Sequence, residues 1–297
     1  MSLDQLGRPV STAVPMLWLI LFFLVPFLIV LKLSFSEALI AMPPYAPLID
    51  WSHDRMLAIK LHFANYHFLF TDSLYLDSFL YSLKVAAVST VICLLLGYPM
   101  ALAIARATPA RRSVLLMLII LPFWTSFLLR IYAWIGLLKD DGLVNNLLLS
   151  LHLISEPIQM VNTSFAVYVG IVYSYLPFMI LPLYANLEKH DATLLEAAAD
   201  LGAPPWKAFM RITVPLSFPG VIAGALLVFI PAVGEYVIPT LLGSANQIMI
   251  GRVLSDEFFE NRDWPVASAV AILILIILMG PIVIFQRYRG RELESGA

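Results

Sequence analysis

The chain is poor in charge and in cysteine: of its 297 residues only 13% are Asp, Glu, Lys or Arg, and Cys93 is the single cysteine. One cysteine excludes an intrachain disulfide framework and any multi-cysteine metal site. The five histidines, His53, His62, His67, His152 and His190, are scattered. None stands four residues from another, the spacing that sets two imidazoles on one helix face for a metal, so they read as interfacial or loop residues. A net charge of −2 gives no global basic field for nucleic acid. There is no Gly-x-x-x-x-Gly-Lys-Ser/Thr phosphate loop. No Ser or Cys nucleophile has a nearby His, and the acids lie mostly in loops, so no catalytic constellation forms.

What is abundant is apolar surface. Hydrophobic residues make up 61% of the chain, well above the roughly 45–50% of a soluble domain. A membrane-spanning helix needs about 20 mostly apolar residues. Six stretches qualify: Val14–Leu31, Val85–Ala105, Val114–Ile131, Phe165–Leu187, Pro219–Ile238 and Val266–Phe285. The first is too long for a signal-peptide core and no small-x-small cleavage site follows it, so it reads as a retained helix. The expected fold is therefore an all-α integral membrane protein with about six transmembrane helices and both termini on one side.

The distribution of Lys and Arg assigns that side. With cytoplasmic termini, the inside holds ten basic residues (Arg8, Arg106, Arg111, Arg112, Lys189, Lys207, Arg211, Arg287, Arg289 and Arg291) against seven acids. The outside then holds eight basic residues against thirteen acids, so the termini-inside arrangement is preferred. Ser34 to Tyr81 becomes an outward region rich in aromatics and acids, including Trp51, Tyr66, Asp72 and Asp77. It is too long for a bare connector and is expected to fold locally.

The one sizeable inward loop, Glu188 to Phe218, reads Glu196-Ala197-Ala198 and continues through Gly202, Pro204, Pro205 and Ile212 to Pro215. Local rules predict two short helices and a sharp turn. Thr193 with Glu196 forms a capping box, and Gly202 closes the first helix in a left-handed conformation. Pro204 and Pro205 open the second helix, and Pro215 ends it. The alanines leave a shallow face that fits another protein's groove.

The order Glu-Ala-Ala, three residues, Gly, nine residues, Ile, one residue, Leu-Pro is the signature of inner-membrane permeases of type I ABC importers. This loop resembles it at Glu196, Ala197, Ala198, Gly202, Ile212 and Pro215, with Val214 where leucine is usual. Helix propensity alone would explain the alanines but not the downstream Gly and Pro. Leu121 to Trp134, Ile230 to Pro239 and Asn261 to Ser268 resemble segments of the spermidine and putrescine importer permeases, and most of all a putrescine-system permease. The resemblance implies a type I ABC importer permease fold in the bacterial inner membrane with a cytoplasmic coupling helix. It also implies three regions: an N-terminal helix and outward loop over 1–77, a permease core over 78–286 and a basic tail over 287–297.

The implied role is that of a non-catalytic subunit of a polyamine uptake system. The implied partners are a second homologous permease, two ATP-binding cassette subunits that carry ATP and Mg, and an extracytoplasmic solute-binding protein. A polyamine path needs acids for the ammonium groups and aromatic faces for the methylenes. Glu235, Tyr236, Trp124, Tyr132 and Tyr173 are the path candidates, with Trp134, Tyr175 and Asp263 as further ones. For any single aromatic, interface anchoring is the stronger explanation, and Asp263 beside Arg262 reads as a local ion pair. Glu235, at a height above the start of its span similar to that of Arg130 in the third, about 24 Å at 1.5 Å per residue, either meets substrate or pairs with Arg130. A permease for another cationic or amino-acid-like solute, a stand-alone secondary transporter and a membrane enzyme are the competing classes. Inverted repeats would favour the secondary transporter, and the sequence shows none.

Overall fold

The structure is a computed structural model that describes residues 12–47, 49–51, 57–59 and 61–295. Arg8, one of the basic residues expected on the inside, and His53 lie outside the described residues. The chain divides into two compact units, one within Met1–Leu76 and Val253–Ile277, the other within Asp77–Arg252 and Leu278–Ala297.

The first unit includes α1 (Thr12–Ser34), which exposes apolar side chains over most of its length, as a helix surrounded by lipid would, and buries only Leu33 and Ser34 at its end. A π-helical turn at Ile20–Leu24 precedes Pro26. The region expected to lie outward folds locally over its described residues. Strands β1 (Ile49–Trp51) and β2 (Leu57–Ile59) pair antiparallel, with Ile49 opposite Ile59. This small ribbon is a local addition to a fold that is otherwise helical among the described residues. Helix α2 (Ala64–Thr71) is tied to the end of α1 by Asn65, whose side-chain amide donates to Ser34 O (3.0 Å) and Ser36 O (2.8 Å). These bonds satisfy carbonyls that a helix C-terminus leaves without partners. Tyr66 Oη donates to Ser34 Oγ at 2.8 Å, and its ring meets Phe35.

In the second unit, α3 (Ser73–Ala105) is longer than a bilayer requires and extends well upstream of the expected Val85. It is followed by α4 (Pro109–Trp124), α5 (Phe127–Leu138), α6 (Leu143–Ser150) and α7 (Ser164–Leu187). After the short α8 (Thr193–Asp200) come α9 (Pro205–Val233) and α10 (Val237–Leu242); α11 (Ile250–Phe259), most of which belongs to the first unit, and α12 (Trp264–Ser295) are each divided between the two units. Helix α12 continues through 287–295.

Helices α7 and α9 form the centre of this unit. Their close approach comes from Gly220 and Gly224, four residues apart on one face of α9. A Cβ on Gly224 would stand 2.8 Å from Met179 Sδ and 3.0 Å from Met179 O, and one on Gly220 2.7 Å from Asn186 Cβ. Small residues at this spacing let backbones of apolar helices pack directly, which substitutes for the hydrophobic drive that lipid does not supply. Around them Val85, Ile131, Ile171, Val233, Ile238 and Leu242 are fully or almost fully buried.

Five helices, α1, α3, α7, α9 and α12, are long and apolar enough to cross a membrane. The sixth expected span is a corrected one. Val114–Ile131 is not a single helix: its pieces, Pro109–Trp124 and Phe127–Ser150, meet at 92°. The break follows from Pro122, which tightens Leu121–Trp124 into a 3-10 turn, after which Thr125 and Ser126 are extended. Thr125 Oγ1 donates to Pro122 O at 2.8 Å and closes the end of the turn. Apolar composition continues through the break, so hydropathy alone does not reveal it.

Candidate functional site

The Glu196 loop has the expected outline with two corrections. Helix α8 is entered through Asp191, whose Oδ1 accepts from Thr193 N at 2.9 Å. Thr193 is already helical and the position before it, Ala192, offers no side-chain cap, so the capping box is absent. An Asp two residues ahead competes well for this amide. The Thr193 hydrogen bonds hold the Asp191 carboxyl below its usual range. Glu196 sits exposed in the first turn, where its charge complements the helix N-terminus.

Gly202 is left-handed at φ +76°, as expected. Ala203 N donates to Ala198 O (2.9 Å) and Gly202 N to Ala199 O (2.8 Å), the paired pattern that closes a helix around a left-handed residue. Pro204 is extended and Pro205 starts α9.

Pro215 does not end this second helix. A π-helical turn at Phe209–Thr213 precedes it, the helix continues to Val233, and the loop's second helix is the start of a span. The wider turn removes the clash between the proline ring and the preceding turn that would otherwise break the helix; the same pairing of π-turn and proline recurs at Pro26. Ile212 is half-buried beside a cavity of about 270 Å³ that Leu102, Arg106, His190, Leu195 and Leu216 also line. Glu196 and Ala197 remain exposed and Ala198 half-buried. Leu201 and Trp206, 88% and 64% exposed, present apolar surface around the turn. Arg112, in the first turns of α4, forms an ion pair with Glu188, so the α3–α4 connection and the Glu188 loop share one end of the unit.

The path candidates separate. Helix α9 ends at Val233, so Glu235 lies not inside a span but in the break before α10. It is 8% exposed. Its Oε1 accepts from Val237 N (3.0 Å) and Ile238 N (3.3 Å), capping α10, and its Oε2 accepts from the hydroxyl of Tyr175. Among the described residues no ion pair joins it to Arg130. That guanidinium instead lies over the rings of Phe123 and Phe127, at 5.4 and 5.6 Å. Its Nε is buried without a hydrogen-bond partner.

Gly251 permits the break to pack, since a Cβ there would lie 2.3 Å from Gly234 O. Ser82 Oγ accepts from Ile250 N at 2.8 Å alongside. Tyr236, Trp124 and Tyr132 are 49%, 79% and 56% exposed, while Tyr173 meets Trp134 edge-on at 5.4 Å. The structure thus brings Glu235 to Tyr175 and not to the other aromatics named from sequence. Asp263 caps α12 through Val266 N (3.0 Å), and no ion pair with Arg262 is formed among the described residues. Asp191, Gly251 and the Arg112–Glu188 pair escaped the sequence reading. Only Asp191 had a local signal, the short Asp-x-Thr pattern.

The family model for the inner membrane component of binding-protein-dependent transport systems matches residues 94–291. The chain belongs to that family. It is 40% identical over 286 residues to the spermidine/putrescine transport system permease protein PotB of Haemophilus influenzae, covering 96% of this chain and 94% of that protein. PotB of Escherichia coli is likewise 40% identical over 272 residues, 91% of this chain and 93% of its own. A solved bacterial alginate ABC transporter, in complex with an alginate pentasaccharide-bound periplasmic protein, superposes with a TM-score of 0.71. The match covers 97% of this chain and 96% of that one, at 16% identity, and establishes a common fold. The chain is accordingly an inner-membrane transport permease and not an enzyme, and it has the ABC importer permease fold.

Proposed function

We propose that this permease forms half of the translocation path of an ATP-driven polyamine importer, with α8 as the element that docks on a cytoplasmic ATPase. The observation that carries the reading is the exposed Glu196–Gly202 turn, rigidly closed by its left-handed glycine and set at the end of the unit that holds the basic Arg106–Arg112 loop. A helix with small side chains flanked by exposed Leu201 and Trp206 offers a groove-filling surface. Cytoplasmic termini agree with the distribution of Lys and Arg.

The partners in this reading are a second homologous permease, two ATPase subunits that hold ATP and Mg, and an extracytoplasmic binding protein. Identity of 40% across nearly the whole chain to PotB supports polyamine cargo. Glu235 is the acid of the path, with Tyr236, Trp124, Tyr132 and Tyr173 as its aromatic surface. Its charge is met by a hydroxyl and two backbone amides rather than by a cation, which leaves an ammonium group as a fitting partner.

The test is ATP-driven uptake by the reconstituted complex against a panel of labelled putrescine, spermidine and amino acids. Preference for a polyamine with co-purification of the ATPase supports the reading. Uptake by the lone chain driven by an ion gradient, or uptake of amino acids only, overturns it.

A further inference from the structure

Arg112 stands where three helix ends meet. It lies in the first turns of α4, with its backbone amide donating to Thr108 O at 2.9 Å. Its Nη2 reaches back to the end of α3, donating to Ala105 O (2.9 Å) and Ala107 O (3.5 Å), and its Nη1 pairs with Glu188, directly after α7. The side chain is 27% exposed and that of Glu188 40%. One planar guanidinium thus satisfies carbonyls that α3 leaves open and holds the carboxylate at the base of the loop that carries α8. Only three residues separate Glu188 from Ala192, where α8 is entered. The same loop borders the cavity between Arg106, His190 and Ile212, so α8 does not rest on a solid core from below. The ion pair ties the base of this loop to the ends of α3 and α4.

We propose that Arg112 and Glu188 form the joint through which movement of α8 is passed to α3 and α4, making Arg112 a positioning residue for energy coupling. The inference rests on the reading of α8 as the ATPase-docking element. A lysine cannot replace the arginine, because a single ammonium lacks the flat fork that serves carbonyl and carboxylate at once.

The experiment uses the full complex, with partner permease, ATPase and binding protein, in lipid nanodiscs and proteoliposomes, and reads polyamine taken up per ATP hydrolysed. Arg112→Gln, Arg112→Lys and Glu188→Gln are expected to assemble with the ATPase and hydrolyse ATP while the ratio falls roughly tenfold. Arg112→Glu with Glu188→Arg restores a charge pair but leaves the Ala105 and Ala107 carbonyls without a donor, and is expected to stay as uncoupled as the single variants. An ordinary structural tie would lower yield or thermal stability and leave the ratio of the surviving complexes unchanged; that result, in Gln and Lys variants alike, overturns the joint. A wild-type complex that hydrolyses ATP without moving any polyamine overturns the function proposed above, and the joint with it. A coupled wild type with equally coupled variants overturns the joint alone.

Discussion

The Tyr175 hydroxyl donates a hydrogen bond to the Glu235 carboxylate, fastening the middle of α7 to the break between α9 and α10. The carboxylate has a local role as well, closing the N-terminus of α10 with its other oxygen. A broken helix buried in an apolar bundle exposes amides that lipid cannot satisfy. The acid and the tyrosine together supply what the break needs.

Tyr175→Phe removes the donor and leaves one oxygen of a nearly buried acid without it. The expected loss is about 1–3 kcal/mol, seen as a lower midpoint of thermal unfolding for the purified complex. Uptake should survive, because the charge and the α10 cap remain. Loss of uptake at normal thermal stability would show that the hydroxyl itself belongs to the path.

A second prediction concerns Gly202. No atom other than its neighbours lies within 4 Å of where its Cβ would be, so a side chain there meets no clash and the whole penalty is conformational. At φ +76° an ordinary residue costs about 1–2 kcal/mol, and valine should turn α8 away from its docking direction. Gly202→Val is expected to insert normally and hydrolyse ATP without uptake. Gly202→Asn should be milder, since asparagine tolerates this region. Equal uptake by both variants and wild type would detach the turn from coupling.

Much of this is legible in the sequence because it depends on local chemistry. The left-handed glycine is readable from a helix pattern ending at Gly-x-Pro-Pro, and five of the membrane helices from apolar length alone. What stays hidden is set by backbone rearrangement inside apolar runs. Pro215 has the signature of a stop, yet a π-helical turn lets α9 pass through it. Thr125 and Ser126 interrupt a run whose hydropathy does not change, and Gly234–Tyr236 does the same after α9. Apolar length therefore puts Glu235 within a span that ends before it. Its partner cannot be read from helix heights, which bring Arg130 near but carry no information on which way either side chain points.

The packing of α7 on α9 gives a third prediction. Gly224→Leu must force Met179 and its backbone away, because even the Cβ would stand 3.0 Å from Met179 O. Overpacking of this kind costs about 1–3 kcal/mol, measurable as reduced yield of folded protein in detergent and a lower unfolding midpoint. Gly280 on α12 is the control, since a Cβ there would have nothing within 4 Å. Gly280→Ala should change stability by less than about 0.5 kcal/mol. Similar losses for the two would mean that the small face of α9 is not a contact surface.

The last prediction separates substrate binding from internal pairing at Glu235. A carboxylate that is only 8% exposed costs free energy unless it is paired, so it persists where a partner or a function retains it. Arg130 is not that partner, since its guanidinium lies on Phe123 and Phe127. Two explanations then remain, the α10 cap and a polyamine ammonium, and glutamine distinguishes them. Its side-chain oxygen can still accept from Val237 N and Ile238 N, so Glu235→Gln should keep the cap, complex assembly and basal ATP hydrolysis. It lacks the charge, so polyamine uptake should fall by at least about tenfold, the equivalent of roughly 1.4 kcal/mol at the transport step. Arg130→Gln should not restore it. The exchanged pair, Glu235→Arg with Arg130→Glu, should also fail, because arginine offers α10 no acceptor and places a like charge before the cargo. Full uptake in Glu235→Gln would reduce the acid to a helix cap, whereas efficient uptake by the exchanged pair would mean that the two side chains meet during the transport cycle.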